Sequence, residues 1–335
     1  QTYDRKDRDH SLTTHRSRTC RMDGASPPPN LFRRIEKLSK ILVTGATGNI
    51  GRMTLLHLLK RLPASELVGL ARDPSKAKDL ADKGIEIRQG DYLDRDGLVR
   101  AFAGISKVML VSATAFTDRN AQHDNVITAA KSAGVEHIVF MPIIRKAGSA
   151  ISLPQITEED AFVEERLMAS GLTYTLVGHP PFLENVESYV GGNAYESGVF
   201  APPGDGKAGY ALREELAEAH AIVLSQKGHE NKSYALQGGP AVSFADVAQI
   251  MSEISGSQVE FHAVSEQDYV ARLVTAGLPE PAANFVLAWV KGVNAGEWDS
   301  PTGDLERLLG RKPTTPAEYL RARHAARQAS DDTIR

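Results

Sequence analysis

Residues 41–51 read Ile-Leu-Val-Thr-Gly-Ala-Thr-Gly-Asn-Ile-Gly, and this stretch decides the fold of the chain. The apolar start predicts a buried strand, and the glycines follow it directly and open an amphipathic helical pattern. In such a unit the first glycine permits a tight turn, the second lets the backbone approach a pyrophosphate, and the third lets the helix pack on the strand. The free amides of the helix N-terminus favour an anion. The stretch therefore predicts a dinucleotide-binding turn, although a structural glycine turn without a ligand is the alternative. The residues expected to contact the cofactor are Gly45, Ala46, Thr47, Gly48, Asn49 and Ile50.

Downstream of this turn, short β-rich apolar runs alternate with helical patterns. Strands are predicted at Ile41–Thr44, Leu67–Ala71, Ile85–Arg88, Val108–Ser112, His137–Ile144 and Thr173–Val177. Helices are predicted between them, near Ile50–Arg61, Ser75–Lys83, Arg95–Ala103, Asn120–Ala133 and Glu158–Ala169. Alternation of this kind is typical of a parallel sheet that is covered by helices on both faces. The predicted fold class is α/β, a Rossmann doubly wound parallel sheet over residues 39–180.

The alternation stops after Pro180-Pro181, and loops rich in glycine and proline separate further helical segments. We expect a smaller C-terminal α/β lobe over residues 181–325, interleaved with the Rossmann core. Ligands of open α/β sheets bind at the carboxyl ends of the strands, so this lobe is expected to form a substrate wall. Residues 326–335 are predicted to be a tail. Residues 1–38 are polar and contain three consecutive prolines, which predicts a disordered extension, with a basic interaction arm as the alternative.

The composition narrows the class of protein. The chain has 335 residues, 41% of them hydrophobic, and a formal net charge of -3, which gives no electrostatic case for binding nucleic acid or a membrane surface. No apolar run reaches the roughly 18 residues of a membrane-spanning helix. A single cysteine excludes an internal disulfide bond and favours a reducing compartment, so a cytoplasmic location is expected. We expect a small-molecule substrate and a monomer or homodimer.

The end of the second predicted strand selects the cofactor. NAD enzymes usually place an acidic residue there to hold the ribose 2′-hydroxyl, whereas this chain has Arg72, followed by Asp73. A guanidinium pairs well with a 2′-phosphate, so NADP(H) is predicted. An Arg72–Asp73 pair would keep NAD possible, and an ordinary exposed charge is the other alternative. Three more cofactor contacts are predicted at the strand ends: Asp91, Tyr92 and Ser112. The loop 115–119 is a candidate lid over the substrate.

Longer stretches of the chain resemble a known family. Residues 41–92 read ILVTGATGNIGRMTLLHLLKRLPASELVGLARDPSKAKDLADKGIEIRQGDY, and residues 122–140 read QHDNVITAAKSAGVEHIVF. Together with further matches up to about residue 322, they resemble the NmrA-like branch of atypical short-chain dehydrogenases. The similarity is strongest to type-2 NAD(P)H:quinone oxidoreductases and triphenylmethane reductases. The resemblance implies a Rossmann domain, an NADPH preference through Arg72, and a small lobe that closes the substrate cleft. The family also includes members that bind the cofactor as redox sensors without turnover.

The chain departs from the family pattern where the substrate is expected. Relatives follow the fifth strand with a Thr-Ser type pair, where this chain has Met141-Pro142. A histidine early in the next helix is replaced by Asp160, and an Arg-Asn pair after the sixth strand by Gly178-His179. The Tyr-x-x-x-Lys pair of typical short-chain dehydrogenases is absent. These changes suggest altered chemistry or an altered substrate.

Three side chains are candidates for catalysis, each with a plain structural alternative. His179 follows a strand end, where a general acid or base is well placed, but it also fits a loop histidine that caps backbone groups. Asp160 is its candidate partner, or an ordinary acidic residue of a first helical turn. Lys146 follows the fifth strand, where solvated lysines are common. Phe116, Phe182 and Trp289 are candidates for an aromatic substrate pocket or for core packing. No metal-ligand spacing and no Gly-x-Ser-x-Gly elbow occurs.

Three functions fit this sequence. The leading hypothesis is an enzyme, an NAD(P)H-dependent oxidoreductase that reduces an aromatic, quinonoid or iminium-like small molecule. The second is a redox-neutral isomerase or rearrangement catalyst of specialised metabolism, because an intact cofactor motif stands beside an altered cleft. The third is a non-catalytic NADP(H)-sensing regulator that binds a protein partner.

Overall fold

The chain folds around a large parallel sheet in the computed structural model, which describes residues 39–334. The predicted extension, residues 1–38, lies outside the described residues. Numbered along the chain, the strands are β1 (Lys40–Val43), β2 (Leu67–Ala71), β3 (Glu86–Gln89), β4 (Ile105–Leu110), β5 (His137–Phe140), β6 (Thr173–Gly178), β7 (Val199–Ala201), β8 (Ser233–Ala235) and β9 (Phe261–Ala263). The main sheet has the order β3-β2-β1-β4-β5-β6-β8, with every neighbouring pair parallel. The order runs outward from β1 in both directions, which confirms the doubly wound Rossmann prediction.

Helices cover both faces of this sheet. Along the chain they are α1 (Asn49–Leu58), α2 (Lys78–Ala81), α3 (Arg95–Ala101), α4 (Arg119–Ser132), α5 (Thr157–Ser170), α6 (Val186–Val190), α7 (Ala194–Ser197), α8 (Arg213–Ser225), α9 (Phe244–Ser255), α10 (Glu266–Thr275), α11 (Glu280–Asn294), α12 (Asp304–Leu309) and α13 (Pro316–Ile334). Successive side chains of a strand point to opposite faces. In β1, Ile41 and Val43 accordingly pack into one apolar core and Leu42 into the other. Two cores of this kind are what buried parallel strands require.

The second half of the chain contributes to the main sheet as well as to the lobe. Strand β8 pairs with β6, and helix α8 packs along α1 on one face of the sheet. Strands β7 and β9 form a separate two-stranded sheet beside a third apolar core, which holds α9, α10 and α11. The described residues belong to one compact unit. Residues beyond 180 therefore supply one strand of the main sheet.

Several predicted boundaries need correction. The fourth strand, for example, spans Ile105–Leu110 rather than Val108–Ser112. The fifth strand ends at Phe140 rather than at Ile144, because Pro142 has no N–H to donate to a neighbouring strand. Pairing resumes beyond it, where Ile144 N donates to His179 O at 2.9 Å. Residues 326–334, predicted as a tail, continue helix α13. Within the described residues, no helix has the length and apolar character of a membrane span.

Candidate functional site

The glycine-rich turn joins β1 to α1 with very little space. Gly45 has a φ of 60°, in the left-handed region that glycine adopts freely, and Gly48 N donates to Gly45 O at 2.9 Å. A Cβ on Gly51 would lie 2.5 Å from Gly45 O, so only glycine fits there. Gly48 is the N-cap of α1 and has no side chain to cap the helix amides. The turn is therefore built to let an anionic group approach the helix N-terminus.

A cavity of about 300 Å³ opens at this turn, along the carboxyl ends of β1 to β4. Seven of the predicted cofactor residues line it: Gly45, Thr47, Gly48, Arg72, Asp91, Tyr92 and Ser112. Ala46 and Ile50 have buried side chains, and the Ala46 amide already donates to Leu70 O at 3.0 Å. Asn49 is exposed at the start of α1 but outside this lining. The structure thus gathers most of the predicted contacts into one cavity, whose shape and donors fit a dinucleotide.

Arg72 lies exposed at the end of β2, where a ribose 2′-substituent is expected. Asp73 does not neutralise it, because its carboxylate accepts from Ser75 N at 3.0 Å and from Ser75 Oγ at 2.6 Å. These hydrogen bonds lower the pKa of Asp73. Among residues 39–334, no ion pair joins Arg72 to a carboxylate, which leaves the guanidinium to an incoming anion.

The opposite wall of the cavity is held by hydrogen bonds between strand ends. Tyr92 OH lies 2.5 Å from Thr44 Oγ1 and 2.8 Å from Val111 O, and burial raises the pKa of Tyr92 well above its usual range. Ser112 Oγ donates to Met141 O at 3.2 Å. Asp91 Oδ1 accepts from Leu93 N at 2.9 Å. Tyr92 therefore presents its ring to the cavity, while its hydroxyl ties β1 to β4.

His179 is buried in a pair with His220. The two Nε2 atoms are 2.8 Å apart, and the residues are 2% and 0% exposed. Burial lowers the pKa of His179 to about 3 and that of His220 well below its usual value, so both rings are neutral at pH 7. One Nε2 donates to the other. In this arrangement the predicted acid or base has its Nε2 committed to another histidine.

Asp160 forms a buried network of its own. Its Oδ1 accepts from Arg119 at 2.7 Å and its Oδ2 from Ile143 N at 2.8 Å. Both side chains of the ion pair are 3% exposed. Burial raises the pKa of Asp160 to about 6, although Arg119 and the Ile143 amide oppose the shift. Asp160 therefore ties the first turn of α5 to the start of α4 and to the segment that follows β5.

Lys146 belongs to a third network of hydrogen bonds. Its Nζ is 3.1 Å from Asp299 Oδ2, and half of its side chain is exposed. Its backbone amide donates to Glu297 Oε1 at 2.7 Å. The structure therefore puts His179, Asp160 and Lys146 into three separate networks, and their catalytic roles stay predictions.

Sequence inspection missed a histidine at the edge of the cavity. His123 in α4 is fully buried, and its Nε2 accepts from Ala113 N at 2.9 Å. Burial lowers its pKa to about 3, so the ring is neutral and Nε2 stays an acceptor. Ala113 follows β4 and lines the cavity. Only the inward position of His123 in a predicted helix could have signalled this contact.

Within the described residues, no group of three or more His, Cys, Asp or Glu side chains is arranged to hold a metal ion.

The sequence and the fold match known proteins. A family model described as NAD(P)H-binding matches residues 45–227. Quinone oxidoreductase 2 of Escherichia coli is 37% identical over 84% of this chain and 97% of its own length. The crystal structure of an Escherichia coli NADPH-dependent quinone oxidoreductase complexed with NADPH superimposes with a TM-score of 0.79, at 35% identity over 83% of this chain and 98% of that one. Triphenylmethane reductase from Citrobacter, complexed with NADP(H), gives 0.77 at 32% identity, over 84% and 99% of the two chains.

The Arg119–Asp160 pair gives a prediction for stability. Asp160→Ala leaves a buried guanidinium without its carboxylate, and we expect the free energy of unfolding to fall by about 3–5 kcal/mol in urea denaturation. Asp124→Ala removes a more exposed partner of Arg166 and is expected to cost less than about 1 kcal/mol. Equal losses of unfolding free energy in the two variants would contradict a larger contribution from the buried pair.

The His179–His220 pair gives a prediction for acid stability. Because the folded pKa of His179 is lowered to about 3, its contribution is complete above the unfolded value and is lost as the pH falls from 6.5 toward 3. As the pH falls through this window, we expect the free energy of unfolding of the wild type to decrease more steeply than that of His179→Gln, by about 1.4 kcal/mol per pH unit. His262→Gln, at a half-exposed ring stacked on Phe200, is the matched control. An unchanged pH slope in His179→Gln would contradict this account.

Proposed function

The chain belongs to the NAD(P)H-binding family whose model covers residues 45–227, and from this premise we propose that it is an NADPH-dependent reductase of aromatic or quinonoid small molecules. The observation that carries the proposal is the cavity at Gly45–Gly51, with Arg72, which forms no ion pair within residues 39–334, where a 2′-phosphate would lie. Relatives with quinone oxidoreductase, azoreductase and triphenylmethane reductase activity in their names support the class of acceptor. A small-molecule substrate, a cytoplasmic location and a monomeric or homodimeric state belong to the same proposal.

The residues of the chain account for binding and orientation. The turn at Gly45–Gly51 would hold the pyrophosphate, Arg72 the 2′-phosphate, and the wall at Ser112–Thr114 the nicotinamide half of the cofactor. When bound, NADPH supplies a hydride to the acceptor. His123 fixes the Ala113 amide, and Tyr92 fixes the ends of β1 and β4, so the wall is rigid before the cofactor binds. Orientation of this kind is the main contribution of a protein to hydride transfer.

The residues that line the cavity also restrict the chemical class of the acceptor. Among the described residues that line it, none is a lysine or a histidine, and the one tyrosine, Tyr92, has its hydroxyl engaged with Thr44 and Val111. A carbonyl acceptor at the nicotinamide end of the cavity would find hydroxyl groups such as that of Thr114, but no ammonium, imidazole or free phenol to protonate it. A quinonoid or iminium-like acceptor delocalises the incoming electron pair and can take its proton from water. This chemistry favours the reductase over a rearrangement catalyst with a built-in acid and base.

Steady-state assays test the function. We expect NADPH to be consumed, as followed by its near-ultraviolet absorbance, with at least one acceptor from a panel of benzoquinones, naphthoquinones, azo dyes and triphenylmethane dyes. The reduced product should be two mass units heavier than the acceptor for a quinone. No turnover above background across the panel would overturn the proposal. A product with the mass of its substrate would instead support an isomerase.

Arg72 gives a prediction for cofactor choice. Because a charge-assisted hydrogen bond contributes about 1.5–3 kcal/mol, we expect Arg72→Ala to raise the Kd for NADPH about tenfold to a hundredfold and to leave the Kd for NADH unchanged. Isothermal titration calorimetry measures both constants. Lys76→Ala removes a nearby exposed cation outside the cavity lining and is the matched control. Equal weakening of NADPH and NADH would contradict a 2′-phosphate site at Arg72.

A further inference from the structure

Phe116 occupies an unusual position in the loop between β4 and α4. Its φ is 65°, a left-handed conformation that bulky side chains rarely adopt, and 57% of the residue is exposed. Its neighbours Thr114 and Thr117 line the proposed cofactor cavity. Strained conformations of this kind persist where the surrounding structure holds them, often at ligand sites. An exposed aromatic ring thus lies beside the nicotinamide end of the cavity.

The ring of Phe116 is the outer member of a row of four aromatic side chains, here called the aromatic row. Phe116 meets Phe285 edge to face, with centroids 5.5 Å apart. Phe285 and Trp289 are four residues apart in α11, so they share one helix face, with centroids 6.4 Å apart. Trp289 stacks on Trp298 at 5.5 Å. The row therefore runs from the cavity mouth into the lobe.

The inner end of the aromatic row is fixed. Trp298 is 1% exposed, and its Nε1 donates to Ile144 O at 2.9 Å, which ties it to the segment after β5. A Cβ on Gly292 would lie 2.7 Å from the Trp298 ring, so α11 can approach this closely only with glycine there. The outer end is different, because Phe116 keeps more than half of its surface exposed. A rigid row that ends in an exposed ring can stack a flat ligand at that end.

We propose that Phe116 and Phe285 form an aromatic subsite that binds the outer ring of acceptors with two or more rings. The inference rests on the proposed reductase function and names its substrate class: planar, neutral or cationic multi-ring acceptors. The acceptor ring nearest the nicotinamide takes the hydride, while the outer ring packs against Phe116. Aromatic faces carry negative potential, so a cationic dye ring gains at this subsite and an anionic one does not. A single-ring quinone is too short to use it.

Steady-state kinetics with two quinones tests the subsite. Phe116→Asn removes the ring but keeps a residue that tolerates the left-handed backbone, whereas Phe116→Tyr keeps the ring. We expect Phe116→Asn and Phe285→Leu to raise the KM for a naphthoquinone about three- to tenfold and to leave the KM for a benzoquinone and the Kd for NADPH unchanged. Phe116→Tyr should retain the wild-type values. Met168→Gln, at an equally exposed apolar side chain of α5, is the matched control. Equal changes for both quinones would overturn the subsite.

A binding experiment separates this inference from the function on which it rests. The chain has two tryptophans, both in the aromatic row, so a quinone in the subsite should quench the intrinsic fluorescence. With NADP⁺ bound, oxidised quinones cannot turn over, and the quenching gives a Kd for the naphthoquinone. We expect Phe116→Asn to weaken this Kd by the same factor as the KM. Quenching without turnover would overturn the reductase function alone. Turnover without quenching, or quenching that Phe116→Asn leaves unchanged, would overturn the subsite alone.

Discussion

The close approach of helix α1 to the end of strand β1 is the constraint on which the rest of the structure depends. A Cβ on Gly51 would lie 2.5 Å from Gly45 O, so only glycine lets the helix begin this close to the end of β1. Helix α8 then packs along α1, and His57 and Glu214 join the two helices at 2.7 Å. Because α8 belongs to the second half of the chain, this contact joins the two halves on one face of the sheet. The glycine at position 51 thereby fixes both the cofactor turn and the helix on which α8 packs.

The sequence predicts the parts of this fold that depend on local patterns. Five of the first six strands are largely apolar runs between helical segments, and the periodicity within one strand and its helix is enough to locate each of them. The exception is β3, which reads Glu-Ile-Arg-Gln. Strand β8 gives no such signal, because Ser233–Ala235 is short and half polar. Its place in the sheet comes from distant contacts, such as Ala235 N donating to Asp304 Oδ2 at 2.8 Å. The continuation of α13 over residues 326–334 was missed as well, since that stretch has few apolar residues to mark a buried face.

The difference between local patterns and distant contacts also applies to the candidate site. Gly45, Gly48 and Arg72 lie within one β-α-β segment, so their spacing alone places them together, and the structure gathers them in one cavity. His179 is a candidate because it follows a strand end, and Asp160 because it replaces a histidine of the relatives and could pair with His179. Their actual partners, His220 and Arg119, are each 41 residues away along the chain. Pairing over such distances depends on how helices dock on the sheet, which no local pattern encodes.

The positions at which the chain departs from the family pattern lie around one backbone segment, residues 141–143. His179 N donates to Pro142 O at 2.8 Å, Asp160 accepts from the Ile143 amide, and Ser112 Oγ donates to Met141 O. The departures therefore lie along one interface at the ends of β4, β5 and β6. An interface of this kind shapes the floor of the cleft through backbone and packing. In the proposed reduction, an acceptor that delocalises the incoming electron pair can take its proton from water without help from this interface. The selection of the acceptor then falls to the shape and the aromatic surface of the cleft.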